Sequence, residues 1–196
     1  MIRAGFVIEN PITKSKTRVI ESDAETNGQG WLLEITCVPH ARPDIPEHLH
    51  QTWTERFEII TGTAYYKLDG VQKSAQAGDT FTVLPGQAHI HPWNAGDTVV
   101  VFRQKTDFGE ANPQIVQEVL GVFATIARLA QQGKVTERGL PKHPLQLAAS
   151  LRLLNKHGSY DQSLPIPVQK LLSATLGRFA ELLGYKGVDP QLLYEL

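Results

Sequence analysis

The spacing of turn residues in the first half of the chain constrains the fold most strongly. Short runs rich in Val, Ile, Thr and aromatic residues are separated there by Asp69-Gly70, Gly78-Asp79 and Pro85-Gly86. Many short strands with a turn every 8–12 residues or so are typical of an antiparallel sandwich or barrel. After residue 106, leucine and alanine recur at helical spacing. We therefore expect a mainly β domain over residues 1–106 and a helical extension over residues 107–196.

Alternation along two of these runs predicts which face of each strand points inward. The odd positions from Trp31 to Cys37 are all apolar, so they share one face of a strand. In the run that begins at Glu55, the residues Glu55, Phe57 and Ile59 share one face and Arg56, Glu58 and Ile60 the other. Because Phe57 and Ile59 favour the interior, Glu55 is expected to point inward with them.

Two further patterns give specific expectations about strand pairing. The runs 56–60 and 64–68 are separated by Thr61-Gly62-Thr63, which indicates a hairpin with a glycine at its turn. The run 98–104 is rich in Val and Phe without interruption, as expected for a strand covered on both faces.

Three helices are predicted in the extension. Asn112 is a suitable N-cap before Pro113, and an apolar stripe then continues to Gly133. The second helix runs from about Pro144 to His157. The third runs from about Val168 to Leu183, with apolar residues along one side. We expect these stripes to pack on the barrel or on a second subunit; a lid over the barrel mouth is an alternative, and membrane-surface binding is disfavoured by the mixed charges.

Composition excludes several functional classes. The net charge is -1, without a clustered basic face, so nucleic-acid binding is not expected. Cys37 is the single cysteine, so no internal disulfide can form. No signal peptide and no apolar run long enough to span a membrane is recognised. A cytoplasmic protein is the resulting expectation.

The residues that carry chemistry lie in two segments. His48 and His50 share parity, so both imidazoles leave one face of a strand. Glu55 adds a carboxylate if residues 51–54 form the turn to the next strand. His89 follows the Pro85-Gly86 turn, and His91 has the same parity and is its rival. Imidazole and carboxylate donors at such spacing indicate a metal site.

These segments resemble the two motifs of the cupin superfamily. His48, His50, Glu55 and Gly62 match the first motif without a gap, and Gly78, Gly86 and His89 match the second. Pro85 and Asn94 each stand one place later than the second motif expects. The resemblance covers roughly residues 30–105. It implies a jelly-roll β-barrel, also called a double-stranded β-helix, which carries a C-terminal α-helical extension in this chain.

The resemblance also implies one divalent metal ion held by His48, His50, Glu55 and His89. The donor set suits Fe, Mn, Ni, Cu, Co or Zn without choosing among them. A metal-dependent enzyme with dioxygenase chemistry on a small organic substrate is the first hypothesis, with Glu55 able to act also as a base. Two other hypotheses remain: a sugar isomerase or epimerase, and a non-catalytic ligand-binding or sensing module. The resemblance also implies a homodimer, since cupins commonly associate in pairs. His40, His143 and His157 are expected at the surface or at helix caps.

Overall fold

Eleven strands form the barrel half and one edge of the structure, which we describe from a computed structural model over residues 2–193. In chain order the strands are β1 (Val7–Asn10), β2 (Ser15–Glu21), β3 (Gly30–Cys37), β4 (His48–His50), β5 (Thr54–Thr61), β6 (Thr63–Leu68), β7 (Val71–Gln76), β8 (Thr80–Val83), β9 (His89–Trp93), β10 (Val100–Asp107) and β11 (Ser159–Asp161).

The strands form two antiparallel sheets that enclose the core. One sheet has the order β1-β2-β3-β10-β5-β8, and the other has the order β11-β4-β9-β6-β7. The predicted inward faces are confirmed, since Trp31, Leu33 and Ile35 are buried on β3 and Phe57 and Ile59 on β5. This two-sheet architecture with C-terminal helices is the expected jelly-roll, or double-stranded β-helix, fold.

The hairpin predicted around Gly62 is wrong. The strands on either side of it, β5 and β6, belong to different sheets, so the chain crosses from one sheet to the other there. Gly62 has a positive φ of 79°, and a Cβ at this position would lie 2.7 Å from the carbonyl oxygen of Val99. A close backbone approach and a left-handed conformation both require glycine. A crossover between sheets can impose these two requirements as well as a hairpin can, so the glycine does not distinguish the two.

The strand β10 also differs from its prediction. Its residues alternate between buried and exposed, and Val99, just before it, is 46% exposed. The strand is therefore covered on one face only. Its inward face carries Gln104 and Thr106 in addition to Val100 and Phe102, because the alternation of the pleat continues past the apolar run.

The helices of the extension begin and end within a few residues of their predicted bounds. Helix α2 spans Pro113–Gln131 and α3 spans Pro144–Lys156, after a short α1 (Asp23–Thr26) in the barrel half. The third predicted helix consists of α4 (Ile166–Leu172), a π-helical turn (Ser173–Gly177) and α5 (Arg178–Leu182), and a 3₁₀ turn follows at Pro190–Leu193. All of these helices are too short or too polar to cross a lipid bilayer.

Two features of the extension were not predicted. Residues Ser159–Asp161, between α3 and α4, form β11 and pair with β4. His157 is the C-cap residue of α3, as one of the two expectations had it, but its side chain is buried, with Nε2 hydrogen-bonded to Glu118 on α2. His143 does cap α3, accepting a hydrogen bond from the Leu145 amide, and His40 is exposed. The extension is thus joined to the barrel by a shared sheet as well as by helix packing.

We predict that Gly62→Ala destabilises the protein more than Gly70→Ala, which is its matched control. Both glycines have positive φ, at 79° and 80°, so both substitutions are strained in the backbone. Only Gly62 also has a backbone atom within contact distance, while nothing lies within 4 Å of a Cβ at Gly70. Urea unfolding should show a loss of about 1 kcal/mol for Gly70→Ala and roughly twice that or more for Gly62→Ala. Equal losses would contradict this account of the crossover.

Candidate metal centre

Three strands bring the predicted donors together. His48 and His50 lie on β4, Glu55 begins the inward face of β5, and His89 and His91 lie on β9. His48 pairs directly with His89 across the β4–β9 ladder. One ligand atom from each of these five residues lies within 4.8 Å of the others. The first motif and the second motif therefore meet at one point, as the sequence spacing suggested.

Glu55 occupies the centre of the cluster. Its Oε2 lies 2.9 Å from His89 Nε2 and 3.3 Å from His91 Nε2, and its Oε1 lies 3.7 Å from His50 Nε2. The carboxylate is 1% exposed. His91, the rival donor in the sequence, is thus part of the cluster and not merely a wall of the pocket.

Backbone carbonyls orient two of the imidazoles. The Pro46 carbonyl lies 2.8 Å from Nδ1 of His48, and the Gln87 carbonyl lies 3.0 Å from Nδ1 of His89. Because a carbonyl can only accept, each Nδ1 carries a proton, and Nε2 is the ring nitrogen that faces the cluster. This outer hydrogen bond is the usual way in which a protein fixes a metal-binding histidine.

The third imidazole is held by an aromatic side chain. His50 stacks on Trp53, with ring centroids 4.1 Å apart and an interplanar angle of 18°. Trp53 in turn makes an edge contact with Trp31. Both tryptophans are 2% exposed, so His50 is fixed against the barrel core.

Two polar side chains on β10 position Glu55 from behind. Gln104 Nε2 donates to Glu55 Oε1 at 2.6 Å, and Thr106 Oγ1 donates to the same oxygen at 3.4 Å. Thr106 also pairs with Glu55 in the β10–β5 ladder. Gln104 was missed because residues 98–104 were interpreted as a strand covered on both faces, and Thr106 was missed because it lies beyond that run. Their parity with Phe102 would have placed them inward.

The cluster strongly perturbs the protonation of its members. Burial, reinforced by the neighbouring imidazoles, holds the pKa of His48 well below its usual value. Burial also lowers the pKa of His50 to about 3, against the opposing effect of Glu55. Burial alone would raise the pKa of Glu55, but the surrounding histidines hold it well below its usual range. Burial alone would lower the pKa of His89, but the hydrogen bond to Glu55 and its charge raise it. At neutral pH the site therefore presents the neutral imidazoles of His48 and His50 and the Glu55 carboxylate.

This arrangement fits a metal ion. His48 Nε2 and both ring nitrogens of His50 are buried without a hydrogen-bond partner among the described residues, and His89 Nε2 faces the Glu55 carboxylate. Burying the partnerless atoms is costly unless something compensates for them, and a coordinated cation does so. The neutral imidazoles of His48 and His50 and the Glu55 carboxylate are in the protonation states that metal binding requires. The cluster can therefore bind one metal ion, whose identity the donor set leaves open.

The cluster opens on a cavity of about 140 Å³ that extends from the barrel to the helices of the extension. The barrel and the two long helices contribute apolar side chains to its wall, among them Leu33, Phe102, Leu120, Phe123, Leu151 and Leu154. The extension therefore forms part of the cavity and does not merely pack on the outside of the barrel.

Three polar residues of the cavity wall were not singled out in the sequence. Asp44 lies in the loop before β4, and Ser150 and Asn155 lie on α3. Ser150 Oγ and Asn155 Oδ1 are buried without a hydrogen-bond partner among residues 2–193. No local motif marks these positions, because they become neighbours of the site only when the extension folds onto the barrel.

Comparison with known proteins identifies the fold family. Residues 34–103 match the family described as the cupin domain. The barrel is a cupin. The match contains all five residues of the cluster, and it excludes the helical extension. No curated protein matches the chain in sequence.

Solved structures of similar proteins cover about half of this chain. A double-stranded β-helix protein from Klebsiella pneumoniae is 20% identical over 54% of this chain and 86% of its own, with a TM-score of 0.44. A cupin described as RmlC-like, from Shewanella frigidimarina, is 20% identical over 52% of this chain and 82% of its own, with a TM-score of 0.41. A protein from Thermotoga maritima described as a predicted oxalate decarboxylase is 17% identical over 55% of this chain and 99% of its own, with a TM-score of 0.46.

We predict that the double variant His48→Ala/His50→Ala loses bound metal. The substitution removes two of the imidazoles from the cluster, so elemental analysis of the purified variant should fall to background. His40→Ala is the matched control, since His40 is exposed and paired only with Asp97. Stoichiometric metal in the double variant would remove the site assignment. Metal content in His91→Ala will decide whether four or five residues hold the ion.

Proposed function

We propose that this cupin is a metal-dependent enzyme that oxygenates a small, mostly apolar organic molecule. The observation that carries the proposal is the buried cluster of three imidazoles and one carboxylate, His48, His50, Glu55 and His89, at the end of a largely apolar cavity. Four protein ligands leave positions on an octahedral ion for exogenous ligands. A bound redox-active metal supplies the activation of dioxygen and of a substrate oxygen.

The charge of the site favours a substrate with an ionisable oxygen. The cluster contributes one negative charge, from Glu55, so a divalent ion leaves the centre with a net positive charge. In an apolar cavity this excess charge strengthens the attraction to an enolate, phenolate or carboxylate oxygen. In a dioxygenation that cleaves a carbon–carbon bond, both atoms of dioxygen enter the substrate and the substrate supplies all four electrons, so no external reductant is needed.

Other residues of the cavity bind the substrate and position Glu55. The apolar wall binds the body of the substrate and excludes water from the centre. Ser150 and Asn155, with their unpartnered oxygens, offer hydrogen bonds to a polar group on that molecule. Glu55 is fixed by Gln104 and Thr106 and holds its negative charge. We propose that it serves first as a metal ligand and only secondarily as a base.

Asp44 favours a second candidate function, metal-dependent isomerisation. Such a reaction needs an acid or base beside the metal, and the inward residues singled out in the sequence were mostly apolar. Asp44 lines the cavity and accepts a hydrogen bond from Ser15 Oγ. Burial raises the pKa of this carboxyl, against the opposing effect of its hydrogen bonds. A carboxyl group with a raised pKa is suited to proton transfer near neutral pH.

We predict that the iron- or manganese-loaded protein consumes oxygen with a phenolic or dicarbonyl substrate, and that the zinc-loaded protein does not. An oxygen electrode measures this directly, with the variant His48→Ala/His50→Ala as the control for adventitious metal. Substrate turnover without oxygen uptake, abolished by Asp44→Asn, would replace the oxygenase with the isomerase.

We predict that Ser150→Ala raises the KM for a substrate identified in this way without lowering stability. Ser150 is 1% exposed and its Oγ has no partner among the described residues, so its loss breaks no protein hydrogen bond. One lost hydrogen bond to the substrate corresponds to roughly a fivefold to tenfold rise in KM. Thermal unfolding and metal content should stay at the wild-type values. An unchanged KM would show that the substrate does not reach α3.

A further inference from the structure

The outer face of the last helical segment is apolar and exposed. Eight side chains form it, and we call them the tail face: Leu164, Val168, Leu171, Leu172, Leu176, Phe179, Leu182 and Leu183. Each is between 40% and 78% exposed. They account for eight of the thirteen large apolar side chains that are exposed in residues 2–193, and the other five are scattered over the barrel half. The concentration of exposed apolar surface on one element indicates an interaction site.

The opposite face of the same segment fixes its orientation. Gln169 Nε2 donates to the carbonyl oxygens of Asp161 and Leu164, each at 2.7 Å. Asn155 Nδ2, on α3, donates to Ser173 Oγ at 2.8 Å.

A tight contact with α3 adds to this constraint. A Cβ on Gly177 would lie 2.8 Å from Arg152 Cβ, and Ala180 is fully buried. The polar and small residues thus face the protein, and the segment cannot turn its apolar side inward without breaking these contacts.

We infer that the tail face packs against the tail face of a second copy of this chain. Eight large side chains at this exposure leave roughly several hundred Å² of apolar surface, on the scale of the 800 Å² or so that each partner contributes to a standard interface. A two-fold symmetric interface requires one patch that is complementary to itself. A single amphipathic segment, packed antiparallel on its copy, meets this requirement.

The apolar side chains of the segment are complementary to themselves about a two-fold axis. Antiparallel packing about an axis at residues 175–176 places Val168 opposite the partner's Leu183 and Leu172 opposite the partner's Phe179. The interface is then apolar along its length, and the short side chain of Thr175 lies near the axis.

A lipid surface fits the tail face less well. Helices that bind membranes carry a strongly basic polar face beside the apolar one. Here the segment exposes Lys170 and Arg178, while Glu181 offsets part of their charge and also binds Arg152 at 2.9 Å. The face opposite the apolar one is buried against α3 and is not available to lipid headgroups.

Light scattering on the full chain tests the inference. The wild type should have twice the mass of the 21.7 kDa chain, and Leu172→Glu/Phe179→Glu should have the mass of one chain, with a far-ultraviolet circular dichroism spectrum like that of the wild type. Val71→Glu and Val99→Glu are matched controls, because both residues are exposed apolar residues outside the tail face, and they should leave the mass unchanged. A monomeric wild type, or a dimer that survives the tail variant, would overturn the inference. Binding of the wild type to anionic phosphatidylserine vesicles as a monomer would assign the face to lipid instead.

Cross-linking locates the axis in a nearly thiol-free background. Cys37 is the single cysteine; it is buried, and burial raises the pKa of its thiol to about 12, so it stays unreactive. Thr175→Cys should give a covalent dimer with a short bis-maleimide, and Ser74→Cys on the exposed edge strand β7 should not. Cross-linking through residue 74 alone would place the interface on the barrel and overturn the inference.

Discussion

The burial of a single carboxylate determines the arrangement of the whole site. Glu55 is removed from water at the centre of the barrel, and an isolated buried charge is costly. Its cost is offset by imidazoles from β4 and β9 and by hydrogen bonds from β10. Four strands from two sheets must therefore meet in one register around this group. A slip of one residue in any of them would turn the donors to the opposite face.

Both the barrel and the extension line the cavity. Strands supply the polar cluster at one end, and α2 and α3 supply much of the apolar wall. Ser150 and Asn155 bring hydrogen-bonding groups from the extension to the same cavity. The candidate metal ligands thus lie in the part of the chain that matches the cupin family, while much of the cavity wall lies in the part that does not.

Local patterns predicted the faces of strands and helices well but not their partners. Parity placed Glu55 and Phe57 inward, since alternation is a property of one strand alone. A turn signal does not say whether the next strand joins the same sheet, and so Gly62 was assigned to a hairpin. Likewise, the apolar side of the last helix was recognised correctly, but which side faces the protein depends on Gln169 and Ser173, whose partners lie on other elements.

The other features that the sequence did not predict depend on contacts between residues that are far apart in the chain. Three residues between two helices, Ser159–Asp161, give no strand pattern, because β11 is defined by its partner and not by its composition. Asp44 and Asn155 carry no motif, and both reach the cavity only through packing. Sequence reasoning found the residues that the family motifs contain and missed those that long-range packing adds.

The pairing of β11 with β4 also has a consequence for the order in which the protein matures on the ribosome. His48 and His50 flank Leu49 on a strand of three residues, and the main-chain partner on one side of that strand is made more than a hundred residues later. A nascent chain that ends after β10 has the whole motif sequence but leaves β4 at an open sheet edge. Closing a loop of that length is entropically costly and slow. The strand that carries His48 and His50 therefore gains its second main-chain partner only after the extension has been synthesised.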